Sequence, residues 1–141
     1  MERKGSAVWT GGLKDGKGTV STESGILVNT PYSFQARFEE GAGTNPEELI
    51  GAAHAGCFSM ALSGQLEKEG LKAERIETTA TVSLEKSDNG FSIPAIHLTV
   101  TARIPNADKH AFEQAAKNAK EGCPVSKLMK ANITMQATLE N

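Results

Sequence analysis

Cys57 and Cys123 are the only cysteines in this chain of 141 residues. Cys57 lies in the run Gly43 to Met60, GTNPEELIGAAHAGCFSM, which reads as a sharply capped, almost wholly apolar helix. Cys123 lies in Gly122-Cys123-Pro124-Val125-Ser126, at the entry to a second, short helix. They are too far apart for a Cys-x-x-Cys motif. On the residues alone two readings stay open: two small buried apolar side chains, as free cysteines often are, or a thiol redox pair. Two features favour chemistry. The Cys57 helix carries few other polar groups, so a thiol there sits in a dry pocket. A helix start at Cys123 turns the positive end of the peptide dipoles toward a thiolate.

A thiol in dry surroundings resists ionisation unless a cation compensates, and arginine cannot lose its charge. Arg37 is the nearest arginine before the long helix; its other reading is a solvated strand residue. Glu47 can orient that guanidinium, or simply serve the helix dipole. Glu47 and Cys57 stand ten residues apart, which is ~15 Å along one helix axis and roughly a quarter turn out of line. One helix therefore does not easily bring both to a single site. If the two cooperate, Glu47 is expected from the antiparallel helix of a second copy. The run Gly51, Ala52, Ala53, Ala55, Gly56 would permit so close an approach.

Other chemistries fit less well. His54 precedes Cys57 by one turn, and His97, His110 and Cys123 could be enlisted, but no paired Cys-x-x-Cys or His-x-x-x-His accompanies them. No metal is expected, and His54 reads as a core or interface histidine. Gly11 to Gly18, GGLKDGKG, nearly matches a phosphate loop, yet Gly18 replaces the hydroxyl residue and a strand follows. No G-x-S-x-G is present.

The elements that must position these residues follow from periodicity. Ser6 to Thr10 and Gly18 to Glu23 read as a hairpin across Gly11-Gly12 and Asp15-Gly16. Tyr32 to Glu39 alternates, with Tyr32, Phe34, Ala36 and Phe38 on one face, and predicts a third strand. Asn45 is an N-cap, Pro46 suits the first helical position, and Glu48 completes a capping-box pattern. That helix should stop near Gly70. Being apolar nearly all round over its first two-thirds, it calls for more cover than one small domain supplies, and a partner subunit is the simplest source. Ile76 to Leu84 and Ile93 to Ile104 read as strands joined at Ser87-Asp88-Asn89-Gly90. Asp108 caps a helix over about Lys109 to Lys120, with Ala111, Phe112, Ala115, Ala116 and Ala119 inward. A short helix over Cys123 to Met129 and a strand over Ile133 to Leu139 complete a single α+β domain with a mainly antiparallel sheet.

The length suits one domain with a real core. The net charge of −2, with no basic face, argues against nucleic acid or an anionic membrane as partner. The apolar stretch Leu49 to Leu62 is too short to span a bilayer. The N-terminus reads as a strand rather than a targeting segment, so a soluble, cytoplasmic protein is expected. In that compartment a cysteine pair is better read as catalytic, redox-sensing or metal-binding than as a permanent disulfide.

The two motifs GTNPEELIGAAHAGCFSMAL and GCPVSKLMKA, with GKGTVSTESG and PYSFQARFE, closely resemble the osmotically inducible protein C (OsmC) and organic hydroperoxide resistance family, over Lys4 to Leu139. The resemblance is to the OsmC branch: the other branch takes its arginine from the N-terminal hairpin, where this chain has Lys14 and Lys17. It implies an intertwined homodimer, its sheets wrapped around two central helices. It also implies a thiol-dependent peroxidase that prefers organic hydroperoxides to hydrogen peroxide. By motif, Cys57 would be the peroxidatic cysteine, Cys123 the resolving one, and Arg37 with Glu47 the pair that activates the thiolate. An apolar pocket of Phe38, Phe58 and Met60 would hold the alkyl chain. No cofactor is implied, only an external dithiol reductant of lipoyl type. A non-enzymatic dimeric module for a small apolar ligand and a thiol redox sensor are the competing readings.

Overall fold

A computed structural model describes all residues, 1–141. The chain packs as two compact units, Met1–Leu49 and Ile50–Asn141.

In the first unit, β1 (Gly5–Thr10) and β2 (Lys17–Thr22) form an antiparallel hairpin, and β3 (Thr30–Tyr32) adds to β2 in the order β1-β2-β3. The GGLKDGKG run is the turn of this hairpin and not a phosphate cradle. Gly18 pairs with both Trp9 and Tyr32, and a Cβ there would run into both rings. The predicted strand Tyr32 to Glu39 is overturned. The strand stops at Tyr32, and a short helix, α1 (Phe34–Phe38), carries Arg37. Ser33 causes the switch: its hydroxyl accepts from the Ala36 amide at 3.1 Å, an N-cap that starts a helix. Phe34 and Phe38, alternating on paper, are i,i+4 neighbours whose ring centroids lie 4.9 Å apart.

The long helix α2 (Pro46–Lys68) begins in the first unit and continues into the second. Asn45 caps it, its Oδ1 accepting from the Glu48 amide at 2.8 Å. The return half of the predicted capping box is absent. Glu48 Oε1 accepts instead from the Thr44 hydroxyl at 2.5 Å.

In the second unit, β4 (Arg75–Ser87) and β5 (Gly90–Arg103) form a long antiparallel hairpin, and β6 (Asn132–Leu139) lies parallel to β5 on its other side. The sheet is therefore mixed, because α3 (Lys109–Gly122) and α4 (Pro124–Leu128) return the chain to β6. Asp108 Oδ1 caps α3 through the Ala111 amide at 2.7 Å. Phe58, Leu62 and Leu66 of α2, alternate β5 residues Leu98, Val100 and Ala102, and Phe112, Ala116 and Ala119 of α3 make one core. The opposite stripe of α2, Ala52, Ala53, Gly56, Met60 and Gly64, is exposed, and a Cβ built at Gly56 or Gly64 meets nothing. Gly51 points elsewhere: a Cβ there would lie 3.1 Å from the Ala80 carbonyl, so this glycine serves contact with the chain's own sheet. No helix is long and apolar enough to cross a membrane.

Candidate active site

Phe58 is wholly buried and fixes the turn of α2 that carries Cys57, while Ser59 ties it to β4 through a 2.8 Å bond to Thr78 Oγ1. Cys57 is half-buried and free, and Cys123 is fully buried and free. The two sulfurs lie near enough for each to shift the acidity of the other. Cys123 ends α3 and caps α4. Its amide bonds the Ala119 carbonyl at 2.9 Å, and its sulfur accepts from the Ser126 amide at 3.4 Å. One helix end thus delivers the second sulfur to the face of α2 that holds the first.

The two thiols differ in acidity. Burial pushes the Cys57 thiol up, the Val125 amide works against that, and the neighbouring Cys123 sulfur adds to the rise. Burial opposes ionisation of Cys123 too, but it is outweighed by hydrogen bonds from the Ser126 hydroxyl, from Cys57 and from the Ser126 and Val125 amides. Cys123 is held below the usual thiol value. Within Ile50–Asn141 Cys123 is therefore the more readily ionised of the two thiols. Arg37, the cation expected to favour the Cys57 thiolate, lies in the unit Met1–Leu49.

That cation is held firmly. Arg37 donates from Nε at 3.1 Å and from Nη2 at 2.9 Å to Glu47. Both bonds fall on Oε1, so the pair is not a two-oxygen fork. Oε2 of the buried Glu47 has no partner. The Arg37 side chain keeps 38% of its exposure against 10% for Glu47, and the guanidinium carbon lies 5.1 Å from the Phe38 ring centroid. Trp9, Leu13, Tyr32, Phe34, Arg37 and Phe38 line a cavity of ≈ 280 Å³ in this unit.

Of the predicted pocket residues, Phe38 faces that cavity, Phe58 is core and offers no surface to a ligand, and Met60 is exposed on the bare stripe of α2. His54 is wholly buried, its Nε2 2.8 Å from Ser126 Oγ and its Nδ1 without a partner. Sequence reasoning left Ser126 unassigned. Its only sequence signal is the three-residue spacing from Cys123, which matches that of His54 from Cys57. No group of three or more His, Cys, Asp or Glu side chains is placed to hold a metal ion.

A family model described as OsmC-like protein matches residues 39–138. The chain belongs to the OsmC family. This OsmC-family chain is 52% identical over 141 residues to Peroxiredoxin OsmC of Escherichia coli, covering 100% of one and 99% of the other. It is 27% identical over 124 residues to the organic hydroperoxide resistance protein OhrB of Bacillus subtilis, covering 87% of this chain and 89% of that one. The crystal structure of OhrB superposes with a TM-score of 0.67 over 97% of this chain and 98% of that one, at 25% identity. An OsmC-like protein from Mycoplasma pneumoniae shares the fold with a TM-score of 0.79, covering 100% and 99% of the two chains at 14% identity.

Proposed function

We propose that this chain is a cysteine-based peroxidase for organic hydroperoxides that works through Cys57 and Cys123. The observation that carries this reading is two free thiols, brought from separate helices near enough for each to shift the acidity of the other. The family's peroxiredoxin and hydroperoxide-resistance members support the reaction class.

In this reading the Cys57 thiolate attacks one peroxide oxygen. The O–O bond breaks, an alkoxide leaves and takes a proton to become the alcohol, and Cys57 becomes a sulfenic acid. Cys123 then displaces the sulfenic hydroxyl to give a disulfide, and an external dithiol, of lipoyl type in the family, returns both thiols. Burial opposes ionisation of Cys57, and Arg37, oriented by Glu47, is the cation that offsets it. The Arg37–Glu47 pair stands within one chain, so both groups travel together. We assign them to the Cys57 of a second copy, in an intertwined homodimer whose bare α2 stripes face each other. The aromatic cavity beside Arg37 suits the alkyl chain of the substrate. A cytoplasmic setting, with its thiol reductants, fits a disulfide that must be reopened every cycle.

One equivalent of cumene hydroperoxide should remove both thiols per chain, as counted with a chromogenic disulfide. Cys57→Ser should abolish turnover. Cys123→Ser should complete one round and then over-oxidise, with sulfinic or sulfonic Cys57 visible by mass spectrometry. An unchanged thiol count in the wild-type protein would instead leave a ligand-binding module.

A further inference from the structure

His54 has no part in the scheme above, although it is a wholly buried titratable side chain linked to the Cys123 end of the pair through Ser126. Its Nε2 lies 2.8 Å from Ser126 Oγ, the Ser126 amide donates to the Cys123 sulfur at 3.4 Å, and the Ser126 hydroxyl is near enough to that sulfur to ease its ionisation. Helix α2 thereby reaches Cys123 twice, through Cys57 directly and through His54 by way of Ser126.

The direction of these bonds follows from what is left unpaired. Nδ1 of His54 is buried without a partner. A proton on Nδ1 would leave an N–H buried with no acceptor, and it would make Nε2 take the one proton of the Ser126 hydroxyl. A proton on Nε2 leaves only an unused lone pair. Nε2–H then donates to Ser126 Oγ, and the hydroxyl proton is free to point at sulfur. The amides of Ser126 and Val125 also point at that sulfur.

We propose that His54 is a positioning residue that aims the Ser126 hydroxyl at the Cys123 sulfur and so readies Cys123 to attack oxidised Cys57. The inference rests on the reading of Cys57 as the peroxidatic and Cys123 as the resolving thiol. Cys123 first gives its proton to solvent. Its thiolate attacks the sulfenic sulfur of Cys57, the S–S bond forms, and the S–O bond breaks with its electron pair. Hydroxide leaves and takes a proton from solvent to become water. The imidazole keeps its proton throughout.

Loss of one hydrogen bond to a charged sulfur shifts the thiolate population by roughly 10- to 100-fold, and the greater nucleophilicity of a more basic thiolate recovers about half of that on a logarithmic scale. Ser126→Ala and His54→Leu should therefore slow disulfide formation by about 3- to 10-fold. The test is a single turnover with one equivalent of cumene hydroperoxide. Peroxide loss reports the first step. Disulfide appearance, with a 1,3-dione trap for sulfenic acid, reports the second. In both variants peroxide loss should stay within about twofold of wild type while trapped sulfenic acid accumulates. His54→Gln, whose amide N–H can reach Ser126, should restore most of the second rate. Disulfide formation at the wild-type rate in Ser126→Ala overturns the inference. So does an equal slowing of both steps, or failure of His54→Gln to rescue a folded His54→Leu protein. Should wild-type Cys57 never form a trappable sulfenic acid or a disulfide, the underlying assignment of the thiols fails instead.

Discussion

The two units of the chain are built on different terms. Among the buried apolar side chains, only Ala36 belongs to Met1–Leu49, whereas Ile50–Asn141 holds a continuous core of two helices and a sheet. The first unit instead leaves Val8, Leu13, Ile26 and Val28 largely exposed. A segment of this size with so little core is not stable by itself. The sulfurs thus sit in the part that can hold its own geometry, and the arginine sits in the part that needs cover. A second copy of the chain would supply that cover and, in the same contact, bring charge to thiol.

The contrast breaks first at the cores. Phe58→Ala deletes the side chain that fixes the Cys57 turn and should cost about 3–5 kcal/mol, read from urea unfolding. Ile26→Ala in the first unit should cost within ~0.5 kcal/mol if that surface stays bare. A larger loss, growing as protein concentration falls, would mean that another chain covers Ile26. Equal losses at both positions in a strictly monomeric protein would erase the distinction.

Removing the cation is the next test. With burial raising the Cys57 thiol, Arg37→Met should lower the rate of peroxide consumption by about 10²-fold at neutral pH, since a close opposite charge moves a thiol by one to three units. Its effect on stability should stay below about 1 kcal/mol, because the arginine is half-exposed and solvent screens the pair. A full rate in Arg37→Met would show the sulfur half to be self-sufficient. Mixing Cys57→Ser with Glu47→Gln chains sharpens the point. Heterodimers should regain part of the activity if Arg37 and Glu47 serve the thiol of the other chain.

Much of the second unit was legible in the sequence because its signals are local. Asp108 caps as its position dictates, and the alternation of Ile96, Leu98, Val100 and Ala102 is that of a strand with one buried face. The parallel seating of β6 was not legible, since register between distant segments is a tertiary matter. Alternation over Tyr32 to Glu39 points to a strand for Arg37, and the Ser33 cap outcompetes it in favour of a helix. The redox pair showed itself only as two unlinked cysteines. Its meeting point depends on how α3 ends, and the Ser126–His54 contact spans elements that no spacing rule connects.

The smallest effect concerns His54 as a titrating group. Burial lowers its imidazole below the ordinary value of 6.5. In the unfolded chain it takes up a proton near that value; in the folded chain it resists to lower pH. Between the two the unfolded state binds the extra proton, so this residue makes stability fall as pH drops below about 6.5 and leaves it level above. One such proton limits the slope to ~1.4 kcal/mol per pH unit. His54→Gln keeps a hydrogen-bond donor near Ser126 but cannot titrate. Subtracting its urea stability from that of wild type, between pH 5 and 8, removes the carboxylates common to both and leaves the histidine. The difference should favour wild type more at pH 8 than at pH 5. Parallel profiles would mean that the imidazole is protonated equally in the folded and unfolded chains, which its wholly buried ring and unpartnered Nδ1 argue against.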